Sequence, residues 1–257
     1  MNQLQRTTFV LSGSSGERTQ MEVDIPLGLS TFPELMPAIH AMAEVIFARA
    51  YADLARSGRP LACEHGCAMC CHHLVMVGEA EAFWLAELVA AMDEPLRSAV
   101  RERFRVGLER LELSGLLPDL VRVFTLRTPL AETIAPLLES YWRLRLPCPF
   151  LENGSCLIYA QRPLVCRQHA VTSPVIGCAT PFAPEVALEK VLVPVDLAGA
   201  VAAFDGSQAT QSRALPLLLC LLREHALRRR VYPRLPALDM LARYFDFALM
   251  CYARQTA

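Results

Sequence analysis

Residues 63–73 read CEHGCAMCCHH and carry four cysteines within a short segment. If the end of this segment enters a helix, offsets of four and three residues place Cys63, Cys67 and Cys70 on one helix face. The cysteine that follows Cys70 would then point roughly 100° away. A tight turn at Gly66 would relax this constraint, because glycine adopts turn conformations that other residues avoid. The spacing predicts that several thiols of this first block converge on one centre.

A second stretch, residues 148–167, reads CPFLENGSCLIYAQRPLVCR and holds three more cysteines. Pro163 fits the first position of a short helix, because the amide proton that proline lacks would have no partner there. Cys166 then lies in the first turn, where the helix dipole and Arg162 or Arg167 favour the thiolate. Thiolate is the form of cysteine that binds metal. The rest of the stretch, rich in proline and glycine, predicts compact loops.

Ten cysteines occur in the chain, and most of them lie in these two blocks. Any one of them alone could equally be a small buried hydrophobe. As a set they lie beside glycine and proline turns, not on periodic apolar faces, and a reducing compartment would keep them out of disulfides. Cys220 and Cys251 lie in apolar, helical surroundings and are interpreted as core residues. The predicted metal ligands are Cys63, Cys67, Cys70, Cys71, Cys148, Cys156 and Cys166.

The two blocks together resemble a bacterial family of zinc- or iron-chelating cysteine-cluster domains, often called YkgJ-like. The pattern of that family is CxxCxxCC, then a later cysteine, then CxIYxxRPxxCR. This chain carries CEHGCAMCC and CPFLENGSCLIYAQRPLVCR at the corresponding places. One departure is that Cys63 and Cys67 are separated by three residues instead of two. The resemblance implies a metal centre, and it names no substrate.

The cysteine region is also similar to that of the flagellin lysine N-methylase, a relative of the same family. That likeness implies an iron–sulfur cluster, and it favours a [4Fe-4S] cluster over the alternative, Zn²⁺. The number of cysteines does not separate the two, since both centres commonly use four thiolates. No site for S-adenosylmethionine can be assigned in this sequence.

Further side chains beside the cysteines could join or complete a centre. Cys178, which lies outside the family pattern, is either an eighth ligand or a loop thiol. Histidine ring nitrogens bind zinc and iron, although each histidine here is more often a neighbour of a site than a ligand. His40 and His225 lie on predicted helices and are interpreted as ordinary residues. The histidines next to the cysteines are His65, His72, His73 and His169.

The composition limits the classes of partner. Hydrophobic residues make up 53% of the 257 residues, and the net charge is −1. A nearly neutral chain lacks the positive charge that neutralises phosphates along a nucleic acid, so nucleic-acid binding is not expected. The amino terminus has no secretory signal pattern, and the longest apolar run, near Leu215–Leu222, is too short to span a bilayer. We expect a cytoplasmic protein that binds no membrane, with a protein or peptide as the partner.

The pattern of apolar residues and breakers predicts a mainly α-helical single domain over residues 1–257, with a small amino-terminal β-hairpin and irregular cysteine-rich loops around the metal centre. The hairpin is expected within 1–30, with its turn at GSSGER, and the first amphipathic helix at 33–56. The other predicted segments are the cysteine blocks 61–73 and 147–178, a helical insertion 78–145 with helices near 78–92, 95–113, 116–126 and 129–145, a strand-like stretch 186–197, and carboxy-terminal helices near 210–230 and 236–253 within 210–253.

Three classes of function follow from such a centre. The first is an enzyme that modifies a protein or peptide, with an open coordination position or a cleft beside the metal. The second is a non-catalytic redox or metal-carrier module, and the third is a purely structural zinc site. A thiol enzyme is disfavoured, because the crowd of cysteines argues against a single nucleophile. Polar groups that could line a cleft are Glu79, Glu81, Arg143, Arg145 and Tyr159, each of which is more often an ordinary helix or packing residue.

Overall fold

The computed structural model describes residues 3–12, 18–125, 131–183 and 185–256. Within these ranges the fold is mainly α, with a small antiparallel strand pair at the amino end, which confirms the predicted fold class. The helices are α1 Met36–Arg56, α2 Glu79–Ala90, α3 Leu96–Leu113, α4 Leu117–Thr125, α5 Ala131–Arg143, α6 Leu164–Gln168, α7 Ile176–Ala179, α8 Leu197–Ala202, α9 Glu224–Arg228 and α10 Ala237–Thr256. Short 3₁₀ turns occur at Pro33–Leu35, Tyr159–Gln161 and Leu217–Leu219.

The strands form small antiparallel pairs: β1 with β2, β3 with β8, β4 with β7, and β5 with β6. In the first pair Leu4 lies opposite Pro26, and the turn GSSGER falls largely outside the described residues. Every second residue of the later part of β2 is buried, as expected for a strand with one face on a core. The strand bounds are β1 Leu4–Ser12, β2 Arg18–Pro26, β3 Leu29–Ser30, β4 Met76–Gly78, β5 Leu151–Glu152, β6 Ser155–Cys156, β7 Ala214–Pro216 and β8 Leu235–Pro236.

Two groups of buried apolar side chains lie on either side of α2. The first is formed by β2, α1, α8 and α10, and it has the fully buried Tyr244 and Phe32 among its largest members. The second is formed by α2, α3, α4, the Leu215–Cys220 segment and the loops around Phe150. Trp84 of α2 packs against both groups. The helix thus joins the insertion to the body of the protein.

The start of α2 requires a glycine for a close approach of two backbones. A Cβ atom on Gly78 would lie 2.6 Å from the carbonyl oxygen of Val201 in α8. Real side chains do not tolerate such a contact, so any larger residue would push β4 away from α8. This contact fixes the first turn of α2, which carries Glu79 and Glu81, against the body of the protein.

Two segments differ from the sequence expectation. The predicted helix near 210–230 is instead a short strand, a 3₁₀ turn and the five-residue α9. The apolar run there packs from several sides, and Leu215 and Leu219 are fully buried, so periodicity could not distinguish a helix from an irregular core segment. The stretch 186–197 contains only an isolated bridge between Lys190 and Val171, not a strand. Cys220 is buried as expected, but it follows a 3₁₀ turn and not a long helix.

No helix among the described residues is long and apolar enough to cross a membrane. Whether the chain is a single domain, as its sequence predicts, stays a prediction.

Candidate metal centre

The first cysteine block folds as consecutive turns and not as a helix. The amides of Cys67, Cys71 and His73 each donate to the carbonyl three residues earlier, at 3.0–3.1 Å. Gly66 has a φ of 90°, which belongs to the left-handed region that favours glycine. Cys63, Cys67 and Cys70 therefore do not share a helix face, and the alternative of a tight turn at Gly66 is the one that the structure shows.

The second block begins with a short hairpin of two two-residue strands, where the sequence pattern predicts only loops. Strands β5 and β6 pair Leu151 with Cys156, and the turn between them is Asn153 and Gly154. Both turn residues have positive φ, 48° and 77°. Asn-Gly is the strongest short hairpin signal, because a type I′ turn needs positive φ at both positions. The hairpin brings Cys156 back towards Cys148.

The third cysteine of this block lies on α6, which Pro163 precedes as the N-cap residue. The predicted role of Arg167 is wrong: its side chain is 3% exposed, forms an ion pair with Glu44 of α1 and donates to the carbonyl of Ala160. Burial raises the pKa of Cys166 well above its ordinary value, and nearby thiols raise it further. The pKa of Cys166 therefore shifts opposite to the predicted direction, because loss of water outweighs the short helix.

The two blocks lie in direct contact. The amide of Cys148 donates to the carbonyl of Cys71 at 2.7 Å, and the amide of Ala62 donates to the carbonyl of Val171 at 2.9 Å. The ring Nε2 of His73 lies 2.6 Å from the carbonyl oxygen of Cys178. The tertiary structure therefore brings together the loops 61–73 and 147–178, as the sequence predicts.

Cys70 is the thiol that couples most widely to the others. A hydrogen bond with the Cys71 thiol raises the pKa of Cys70, and burial adds to the shift. Burial also raises the pKa of Cys148 to about 12 and that of Cys156 above its usual range, and the charge that Cys70 would carry raises both further. Ionising several of these thiols together is unfavourable unless a cation lies between them.

Cys63 and Cys178 form a second set of thiols whose pKa values depend on their neighbours. Burial raises the pKa of Cys63, and the charges that Cys67 and Cys70 would carry add to this. Burial likewise raises the pKa of Cys178 to about 11, with further contributions from Cys70, Cys63 and Cys67. Cys178 is 3% exposed, so it is not a loop thiol open to solvent. Cys70 thus affects the pKa of thiols in both blocks and that of Cys178.

Four histidines lie beside the cysteines in sequence: His65, His72, His73 and His169. Among the described residues, none of them forms a hydrogen bond with a thiol. Burial lowers the pKa of His169 to about 4 and also lowers the pKa of His73, whose ring centroid is 6.0 Å away. The Nδ1 of His72 and the Nε2 of His169 are buried and have no hydrogen-bond partner in the described part of the chain. His65 packs on the ring of Tyr159 at 4.5 Å.

The polar groups proposed as a cleft lining do not meet in one place. Glu79 pairs with Arg213 and Arg230, and Arg143 pairs with Glu139 on the exposed side of α5. Arg145 stacks on Trp142 and donates to the carbonyl of Ala179. The guanidinium carbon of Arg162 lies over the ring of Tyr159, 4.0 Å from the ring centroid. Glu81 is different, because it is 1% exposed and contacts the second cysteine block.

The donor set fits a metal of the kind that thiolates prefer. Burial and neighbouring thiols raise the pKa of six cysteines, which makes their thiolates costly to form, and a bound cation would remove that cost. The six are Cys63, Cys70, Cys148, Cys156, Cys166 and Cys178. No three Cys, His, Asp or Glu side chains in the described ranges already stand in an arrangement that would hold an ion. Ligation therefore requires that thiols lose their protons and turn towards a common point.

Comparison with known proteins bears on the same segment. Residues 62–185, slightly under half of the 257-residue chain, match the family model described as "CxxCxxCC: Putative zinc- or iron-chelating domain". No curated protein and no solved structure matches the chain. The likeness to the flagellin lysine N-methylase stays a prediction. The match spans both cysteine groups described above, and this similarity to a zinc- or iron-chelating domain supports metal binding.

Proposed function

We propose that this chain is a metal-binding protein whose cysteine blocks hold an iron–sulfur cluster of the [4Fe-4S] type. The observation that carries the proposal is the contact between two cysteine blocks distant in sequence, made by the amide of Cys148 on the carbonyl of Cys71. Cysteine thiolates are the ligands of such clusters, commonly four for each. The candidate ligands are Cys63, Cys67, Cys70, Cys71, Cys148, Cys156 and Cys166.

Within this set, the best supported foursome is Cys70, Cys148, Cys156 and Cys166. Each of the last three has a pKa that burial raises and that the charge of Cys70 raises further. Such mutual effects require the sulfur atoms to lie near one another in surroundings with little water. A bound cluster would supply electron transfer at this point of the fold.

Zinc is the alternative for the same thiols. A closed site of four cysteine ligands would be structural, and its metal would contribute directly to folding. The contacts of the second block with α1 and α2 support this alternative, since a metal there would tie loops to the helical body. In that case chelation would unfold the protein, whereas a redox module would show a reversible reduction.

A role in modifying a protein or peptide is a further part of the proposal, with a partner side chain as the substrate. A cavity of about 140 Å³ lies beside the second block and is lined by His169, Lys190 and Tyr252. That volume suits a side chain and not a folded domain. Its position next to His169, whose ring neighbours His73 of the first block, supports access to the centre from this side.

The deciding experiment is elemental analysis with absorption spectroscopy on protein purified without oxygen, with Cys70→Ser and Cys251→Ser alongside. Iron with sulfide and a broad absorption band near ~400 nm, from thiolate-to-iron charge transfer, would support the cluster. Zinc without colour would support the alternative. Cys251 lies on α10 outside both blocks, so Cys251→Ser should keep its metal while Cys70→Ser loses it. Wild-type protein with no metal of either kind would contradict the proposal.

A further inference from the structure

The segment that carries Cys166 is held by a buried carboxylate from the insertion. The backbone amide of Leu164, the first residue of α6, donates to Oε1 of Glu81 at 2.7 Å. Glu81 is 1% exposed and Leu164 is fully buried, so water does not compete for this bond. The first amides of a helix have no partner within the helix, and a carboxylate that accepts from one fixes where the helix starts.

The same oxygen of Glu81 has a second partner, which comes from α1. The Nε2 of His40 lies 3.0 Å from Glu81 Oε1, and His40 is 5% exposed. The ring of His40 packs against Trp84, with centroids 4.3 Å apart. His40 therefore gives the carboxylate a second bond, from α1, that helps to fix its direction. From the sequence alone, His40 is interpreted as an ordinary residue, and Glu81 is either a cleft-lining group or an ordinary helix residue.

The other end of α6 is held by α1 as well. The hydroxyl of Tyr51 donates to the backbone carbonyl of Arg167 at 2.7 Å, and the Arg167 side chain pairs with Glu44. His40, Glu44 and Tyr51 are spaced by four and seven residues, which puts them on one face of α1. Cys166 thus lies in a helix that is bonded at its start and near its end. These contacts come from α1, which lies outside residues 62–185, the segment that matches the family model.

We propose that Glu81 is a positioning residue for the metal centre, which sets the place of Cys166 through the amide of Leu164 and is itself oriented by His40. The inference rests on the proposed function, because it assigns a role towards a metal held by Cys166. Groups that orient metal ligands from outside the ligand set typically change metal affinity by about 10–100-fold when they are removed.

The test compares Glu81→Leu, Glu81→Gln and His40→Leu with Glu79→Leu as the matched control. Glu79 is on the same helix and its carboxylate pairs with Arg213 and Arg230, but within the described part of the chain it forms no bond to a cysteine block. Each protein is purified with its metal, checked for native secondary structure by far-UV circular dichroism, and mixed with excess chelator. The rate of metal release is then measured, together with the visible spectrum of the metal-free protein reloaded with Co²⁺.

Glu81→Leu should release metal at least about ten times faster than wild type and should shift the Co²⁺ bands. Glu81→Gln keeps an oxygen that accepts from Leu164, so its release rate should stay near that of wild type. His40→Leu should fall between the two. Glu79→Leu should lose stability without faster release, which separates positioning from general destabilisation.

Wild-type release rates in folded Glu81→Leu, or equally fast release from Glu79→Leu, would overturn the inference. If Glu81→Leu does not fold, the comparison of His40→Leu with Glu79→Leu decides in the same way. A wild-type protein that binds no metal at all would instead refute the proposed function. The two failures are therefore distinguishable.

Discussion

The two cysteine blocks differ in how firmly the rest of the protein holds them. In the first block Glu64, His65 and Gly66 are exposed, and the backbone bonds are mostly internal turns. In the second block Leu164 and Arg167 are buried, and both are bonded to other elements. Backbone bonds join the two blocks to each other, but among the described residues the side chains of α1 and α2 bond only to the second block. We therefore expect the second block to hold its thiols in place more firmly than the first block does.

This difference predicts that the largest effect comes from Cys166. Cys166→Ser should abolish metal binding and lower the free energy of unfolding by at least ~3 kcal/mol, since thiolate–metal bonds can contribute on the order of 10 kcal/mol to folding. Metal content per chain and thermal unfolding measure both effects. Cys251→Ser is the matched control and should change neither. Full metal occupancy in the Cys166→Ser variant would show that Cys166 is not a ligand.

The second prediction concerns the support of the second block and not its ligands. Arg167→Leu should lower the free energy of unfolding by about 1.5–3 kcal/mol, because it leaves the carbonyl of Ala160 without its charged donor. The ion pair with the largely exposed Glu44 adds little, since water screens it. Chemical denaturation measures the loss. Glu64→Gln, a charge change in the exposed first block, should be neutral, and an equal loss there would mean that both blocks are held alike.

A third, smaller effect is expected in the first block itself. Cys63→Ser should weaken metal binding less than Cys166→Ser does and should cost under about 1.5 kcal/mol, within the usual range for a part-buried position. Competition with a chelator of known affinity measures the difference. The spacing of three residues to Cys67, one more than in the family pattern, makes this variant informative. If Cys63→Ser loses all metal, Cys63 is as necessary for metal binding as Cys166, although its block is less firmly held.

The smallest effect is expected for Cys178. Cys178→Ala removes a buried sulfur and should cost about 1 kcal/mol, with metal content unchanged. The readouts are thermal unfolding and metal analysis of the same preparation. Loss of metal in this variant would make Cys178 an eighth ligand, beside the seven candidates of the two blocks.

Some local features could be read directly from the chain. Proline and glycine breakers place the ends of the insertion helices within a few residues of α2, α3 and α4, because these residues interrupt a helix in any surroundings. The pair Asn153 and Gly154 also carries a local signal, and the hairpin that it forms could have been predicted from the turn type alone. Local chemistry is sufficient in such cases.

Other features depended on neighbours that are distant in sequence. The apolar run around Leu217 and Cys220 is buried from several directions, so a helical period could not be distinguished from an irregular segment. The pKa of Cys166 was expected to fall from its helix and arginines, yet burial reverses the direction. His40 and Glu81 are 41 residues apart, and their contact has no signal in either local pattern.

The sequence by itself determined the mainly helical class and the two cysteine blocks with their family resemblance. It could do so because helix periodicity, breakers and cysteine spacing are local properties of the chain. Only the tertiary structure decided that the blocks touch, that Arg167 points to α1 and that Glu81 accepts from Leu164. These contacts join elements that packing and loss of water bring together, and burial gives each of them its strength.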